Sequence, residues 1–225
     1  PPYITGIRLF AKRMPGVPLI GLFETAFYQF APEAMMRYAV PDSWHAIGVR
    51  RWGFHGASHK FIAERSAELL GRTDVANRVR GLYQAGPVSV KGPALRVISC
   101  HLGGSSSVTG IRDGVAIGTS MGLSPQSGLP QNNRVGDLDS AAVPFVMKTL
   151  GLPLAEVERQ MTKEGGLLGL EGGLLLLPLL VARAVGPLGG EQPDVVNRGE
   201  RAILFAAGER DLELSRQTLI QGIPQ

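Results

Sequence analysis

The chain is short of cysteine, of aromatics, of net charge and of long apolar runs, and each shortage removes a class of protein. One cysteine, Cys100, permits no disulfide within the chain, and no zinc-ligand spacing occurs. It lies in the apolar run Val97-Ile98-Ser99-Cys100, where a small buried core residue is expected, and such usage fits a reducing, cytoplasmic compartment. The longest apolar stretch, Gly172 to Ala182, contains Pro178 and is too short to span a bilayer, so no membrane is expected as a partner. Arg8, Lys12 and Arg13 interrupt any signal-peptide core, and Pro1-Pro2 stands where an initiator methionine would, so a truncated chain is expected. The 23 Lys+Arg against 19 Asp+Glu leave a charge of only +4, scattered rather than interleaved with aromatics. Nucleic acid is therefore not expected as a partner, whereas small anions such as nucleotides are compatible.

What is present suffices for a core: 44% of 225 residues are hydrophobic. Val17 to Leu22 reads as a buried strand ending at Phe23-Glu24-Thr25, which makes Glu24 a buried acid at a strand end. Pro32 to Tyr38 suits a short helix, Val40 to Gly48 a loop, and His59 to Leu70 a helix ended by Gly71. Arg72 to Pro93 reads as an irregular surface insertion. Ala94 to Leu102 is the clearest strand. After it, Gly103-Gly104-Ser105-Ser106-Ser107 leads to Val108–Ile111, then Asp113-Gly114 to Val115–Ile117, a strong hairpin signal. The glycine-serine turn thus joins two antiparallel strands and is neither a Walker loop nor a dinucleotide-binding fingerprint, both of which need a helix next. Met121 to Asp139 is a long loop, followed by helices over Ser140–Leu150 and Leu154–Met161. Arg201–Ala207 reads as a strand and Leu212–Ile220 as a helix. Alternating strands and helices with glycine-rich turns make an α/β protein or a mixed-sheet α+β one.

Four places could carry chemistry. Arg51 to His59 sets a cation, an imidazole at His55 and two glycines just before a helix, as a loop that handles anions requires; His59, on the helix, reads as structural. Gly103 to Ser107, preceded by His101, offers backbone N–H groups with little side-chain bulk, a form that cradles phosphate oxygens or merely makes a tight hairpin. Arg134 lies in a Gly/Pro-rich loop beside Asp137 and Asp139. Glu24 is the one carboxylate in its apolar stretch.

Together with their order along the chain, these segments resemble the acetate and propionate kinase family. The resemblance is carried by Phe23-Glu24-Thr25-Ala26-Phe27, Arg50 to Lys60, Ser99 to Gly103, Thr119-Ser120-Met121-Gly122 and Arg134 to Asp139. Gly165 to Leu170 and Phe205-Ala206-Ala207-Gly208 are similar to two later segments. It implies an α/β, two-domain ribonuclease H-like fold of the actin and sugar kinase kind, with mixed sheets flanked by helices. Residues 1–93 would belong to the N-terminal and interdomain region with the substrate-side loops. Residues 94–225 would form the nucleotide-binding domain, incomplete at its C-terminal end. The implied activity is reversible phosphoryl transfer between ATP/ADP and a short-chain carboxylate such as acetate, with Mg²⁺, in a cytoplasmic homodimer. By the same resemblance, Glu24, His55 and Arg134 would be catalytic, and His101, Leu102, Gly103, Gly104, Ser105, Gly208 and Glu209 would bind the nucleotide; no residue is assigned to the metal.

The sequence also departs from the family pattern. Glu24 stands in place of the catalytic aspartate, Gly104-Ser105 in place of Asn-Gly, Gly118 in place of an aspartate and Asn133 in place of a threonine. Glu171-Gly172-Gly173 and Gly208-Glu209-Arg210 replace two nucleotide-side motifs. These losses keep open a non-catalytic relative that binds nucleotide or acyl phosphate or scaffolds a partner; a butyrate-type kinase, separable only by the size of its acyl pocket, is the other alternative. Retention of Arg51, His55, His101 and Arg134 favours an enzyme, because a scaffold has no physical need of all four.

Overall fold

The computed structural model describes residues 2–170 and the strand Ala202–Ala206. Its centre is a four-stranded sheet ordered β3-β2-β1-β4, built from β1 (Arg96–Leu102), β2 (Ser106–Arg112), β3 (Val115–Thr119) and β4 (Ala202–Ala206). Every pairing among the described strands is antiparallel. The β2–β3 turn is the expected one: Asp113 and Gly114 both take positive φ (50° and 79°), the twist that closes a two-residue hairpin. Asp113 also ties the turn to the entry of β1, accepting from the Leu95 N–H through Oδ1 at 2.8 Å and donating its own N–H to the Leu95 carbonyl at 2.7 Å.

Helices α1 (Pro2–Arg13), α2 (Glu33–Met36), α3 (Asp42–Ala46), α4 (Gly56–Leu69) and α5 (Thr73–Ala85) precede the sheet, and α6 (Ala142–Leu150), α7 (Leu154–Lys163) and α8 (Gly166–Gly169) follow its first three strands. The core lies between α4, α5 and one face of the sheet. It joins Phe27, Tyr28 and Met36 to Ala63 and Ala67 of α4, Val75, Val79 and Leu82 of α5, and Val97, Ile111, Val115 and Ala116 of the strands. This cluster draws on residues from both sides of position 93. Each Val or Leu fully buried here is worth about 1.5–3 kcal/mol of apolar transfer.

Three expectations are corrected. The segment Arg72–Pro93 is not an irregular insertion, because it contains the thirteen-residue α5. Val75, Ala76, Val79 and Leu82 recur at helical spacing and close over α4, so the polarity between them belongs to the solvent face of a helix. Val17–Leu22 is not a buried strand. Val17, Leu19, Ile20 and Leu22 are exposed, and no ladder partner for the segment exists among the described strands; without one, an apolar run has nothing to hold it extended in a sheet. The loop over Val40–Gly48 contains the short α3, started after Pro41 with Asp42 in its first turn.

Other elements fall where the sequence places them, including α2, α4 with Gly71 at φ 69° just beyond its end, buried Cys100, α6 and α7. The expected helix over Leu212–Ile220 lies outside the described residues. Among the described residues no helix is long and apolar enough to cross a membrane.

Candidate active site

The site arises where a helical repeat meets a strand repeat. On β1, Val97, Ser99 and His101 share one face; on β2 they face Ile111, Thr109 and Ser107 in register. That face is apolar at one end, Val97 with Ile111, and polar at the other, His101 with Ser107. Across it runs α4, and His55 just before it and His59 in its first turn both reach Ser107. Helix, β1 and β2 therefore deliver three imidazoles and three serine hydroxyls to one spot.

His55 immediately precedes α4 and adopts φ 60°, ψ 27°, a left-handed conformation uncommon for a side chain of its size. The turn is fixed from behind: the Gly56 N–H donates to the Glu24 carbonyl at 2.9 Å. A Cβ on residue 56 would stand 2.2 Å from that oxygen, so the close approach needs glycine. The His55 ring stacks on His101 with centroids 3.8 Å apart and planes 16° off parallel. His55 Nδ1 lies 2.8 Å from Ser107 Oγ, and His101 Nδ1 lies 3.0 Å from Ser58 Oγ. His59 is fully buried, with Nδ1 on Ser99 Oγ and Nε2 on Ser107 Oγ, each at 2.8 Å.

Burial, then the charges of His101 and Arg134, lower the His55 pKa to about 4. Burial, then His55 and His101, lower that of His59 to about 3. With those values the His55 and His59 rings are both neutral at pH 7.

Arg134 arrives from the loop between β3 and α6. Its Nη1 donates to Ser105 Oγ at 3.2 Å, to the Pro125 carbonyl at 3.2 Å and to Gln131 Oε1 at 3.3 Å. Gln131 is itself fully buried, accepting from Ser105 Oγ at 2.9 Å and donating to Pro125 O at 2.7 Å. The loop backbone is clamped from below: the Leu167 N–H donates to Gln131 O, the Val135 N–H to Met161 O, and the Gln131 N–H to Arg134 O, at 2.8–3.0 Å. Gly166 makes the clamp possible, since at φ 65° a Cβ there would lie 2.1 Å from Gln131 O. Among the described residues these contacts occupy Nη1 alone, which leaves Nη2 and Nε for a ligand. The Arg51 guanidinium lies 4.9 Å above the Tyr38 ring and 3.5 Å from the Ser120 carbonyl.

Of the residues singled out in the sequence, His55, His101, Ser105 and Arg134 come together, although they lie on three separate segments. Leu102 ends β1, and Gly103, Gly104 and Ser105 form the hairpin turn beside Arg134. Nothing lies within 4 Å of a Cβ position on exposed Gly104, so an anion can approach the turn. The expectation of a buried acid at Glu24 is corrected: the residue is exposed because no strand precedes it, and its charge is felt by Tyr28 and Tyr83. Gly208 and Glu209 lie outside the described residues. Sequence reasoning passed over Gln131, Ser99 and Ser58. A glutamine in a Gly/Pro-rich loop looks solvated, and single serines carry no local signal; only the fold places them against the functional side chains. Among the described residues no group of three or more His, Cys, Asp or Glu side chains could hold a metal ion.

A paired imidazole stack beside an arginine and an open glycine-serine turn is an arrangement that can receive an anion. Residues 1–174 match the model of the Acetokinase family, and the chain belongs to that family. The acetate kinase of Halalkalibacterium halodurans is 40% identical over 173 residues, covering 76% of this chain and 40% of the relative. That of Halothermothrix orenii is also 40% identical over 173 residues, covering 76% of this chain and 39% of the relative. The chain thus spans about two fifths of the length of the curated relatives it matches. Among solved structures, Porphyromonas gingivalis acetate kinase superposes with a TM-score of 0.65 at 33% identity, over 81% of this chain and 42% of that one. A propionate kinase from Francisella tularensis gives 0.64 at 32%, over 81% and 43%. The fold class is accordingly α/β, of the actin and sugar kinase kind.

Proposed function

We propose that this chain forms part of an ATP-dependent carboxylate kinase, which moves a phosphoryl group reversibly between ATP and acetate or a similar short-chain carboxylate. The observation that carries this reading is the convergence of His55, stacked on His101, with Arg134, itself bonded to the hairpin turn at Ser105. In the forward direction a carboxylate oxygen bonds to the γ-phosphorus as the bond to the β,γ-bridging oxygen breaks; acyl phosphate and ADP result, and no proton is consumed. The protein's task is to hold both partners in line and to stabilise charge on the three oxygens of the group in flight. Arg134 supplies full positive charge through the N–H groups its internal bonds leave open. His55 supplies a neutral N–H donor, so the site binds the transferring group without repelling the cation beside it. The run from His101 to Ser105 holds the nucleotide phosphates, with Gly104 admitting them close to the backbone. Glu24 is the acid proposed to orient the acceptor side, its backbone already seated against the His55 turn.

The same reading keeps residues 1–93 on the substrate side, 94–225 on the nucleotide side, Gly208 and Glu209 among the nucleotide contacts, and a cytoplasmic homodimer as the assembly. Mg²⁺ belongs to it through the resemblance alone. The described residues offer no group of three His, Cys, Asp or Glu side chains that could hold it. The test is to trap acyl phosphate with hydroxylamine, using the intact enzyme, ATP and Mg²⁺. Hydroxamate from acetate, propionate or butyrate is expected, and the ranking of the three reports the acyl pocket. Folded protein that yields none from any of them refutes the proposal.

A further inference from the structure

A neutral histidine can donate to a phosphoryl oxygen only if its proton sits on the nitrogen that faces the ligand, and the partner of its other nitrogen decides that. The partner of His55 Nδ1 is the Ser107 hydroxyl, and the same oxygen lies 2.8 Å from His59 Nε2. A hydroxyl has one proton to give. Ser107 is fully buried, and among the described residues its oxygen meets only these two nitrogens, so its proton goes to one of them and the other nitrogen donates to it. His59 is neutral too, and its Nδ1 meets Ser99 Oγ, so its two nitrogens also take opposite roles. Ser99, His59, Ser107 and His55 thus form one chain of hydrogen bonds with two self-consistent directions.

In the first direction His55 Nδ1 donates to Ser107, Ser107 to His59 Nε2, and His59 Nδ1 to Ser99. His55 then has only a lone pair on Nε2. In the second, Ser99 donates to His59 Nδ1, His59 Nε2 to Ser107, and Ser107 to His55 Nδ1, so His55 keeps its proton on Nε2. The far end of the chain chooses between them. Ser99 is fully buried, and among the described residues its hydroxyl has His59 as its hydrogen-bond partner. Among the described residues the first direction would bury the Ser99 hydroxyl proton with no acceptor; the second leaves only oxygen lone pairs unused, which costs less.

We infer that Ser99, His59 and Ser107 are positioning residues that hold His55 in the tautomer protonated on Nε2, so that it meets an anion as a neutral N–H donor. The relay stands on the geometry of β1, β2 and α4, whereas its use in phosphoryl transfer rests on the kinase reading above. It accounts for a wholly buried histidine behind His55, and for two serines that face it on adjacent strands.

The tautomer is read directly by long-range ¹H–¹⁵N correlation NMR on the ¹⁵N-labelled chain, with the His55 ring assigned from a His55→Gln spectrum. Expected for the unmodified chain at neutral pH is a pyridine-like Nδ1 and a pyrrole-like Nε2. Expected for Ser107→Ala and Ser99→Ala is a shift of both signals toward the average of two tautomers, in proteins whose amide spectra and melting curves remain those of a folded chain. A pyrrole-like Nδ1 in the unmodified chain overturns the inference, and so does a folded Ser107→Ala chain whose His55 signals match the parent's. The unmodified spectrum decides the matter even if both variants misfold. Because the spectrum is recorded without substrate or turnover, the relay and the kinase reading fail separately.

Discussion

Gly56→Ala offers the sharpest test of how the candidate active site is held, because the structure supplies the size of the perturbation. Alanine at the first turn of a helix would ordinarily be an improvement, worth roughly 0.5–1 kcal/mol over glycine. Here its Cβ would stand 2.2 Å from the Glu24 carbonyl oxygen and 3.1 Å from Phe27 Cβ. The first obstacle is backbone and cannot rotate away. Restoring ordinary contact requires the Glu24 segment and the His55 turn to separate by about 1 Å, which also lengthens the 2.9 Å bond from the Gly56 N–H. Overpacking of this kind costs about 1–3 kcal/mol, a fall of roughly 2–12 °C in Tm for a chain of this size. The larger effect should be on rate, because His55 is the residue displaced, and a misplacement of about 1 Å can cost around a hundredfold. The assay is hydroxamate formation by the intact enzyme, normalised to folded protein, beside a thermal melt. Gly81→Ala is the control: it lies in α5 with nothing within 4 Å of its Cβ position and should leave turnover alone while slightly raising Tm. A Gly56→Ala enzyme as stable and as active as the parent would refute the reasoning.

Arg134→Ala should lower kcat by about a thousandfold or more while weakening substrate binding far less, as for an arginine that meets the phosphoryl group in the transition state; unchanged kcat would reduce Arg134 to the Ser105–Gln131–Pro125 network it also serves. Glu24→Ala should leave Tm nearly unchanged, exposed substitutions costing within about 0.5 kcal/mol, and should reduce kcat by around a hundredfold if its carboxylate orients a substrate; a fully active variant removes Glu24 from the site. The folded pKa values of His55 and His59, about 4 and about 3, lie below the ordinary value of 6.5. The unfolded chain therefore binds protons first as pH falls, so stability from these rings is complete above pH 6.5 and is lost down through pH 4 to 3. Urea unfolding at pH 7 and pH 4.5 should show the loss, and His59→Gln should flatten it; an equal slope in that variant would show that His59 is not buried neutral.

The sequence alone determined what short stretches of chain determine. Asp113-Gly114 between two β-prone runs made a hairpin because those residues tolerate positive φ wherever they stand. His59 to Leu70 was helical by its own periodicity, and the blocks from Glu24 to Arg134 carried the family resemblance because they are contiguous. Even α5 was within reach: Val75, Ala76, Val79 and Leu82 have helical spacing, obscured by the polar face between them. Partnership over distance was not legible. Whether Val17–Leu22 became a strand depended on a neighbouring edge, and none of the described strands supplies one, so Glu24 is exposed rather than buried. That Gln131 buttresses Arg134, and that Ser99 and Ser107 orient two histidines, follows from strand register and from the seating of α4 across the sheet. A serine or a glutamine is a donor or an acceptor only once a partner has been packed against it, and that packing is a property of the tertiary fold.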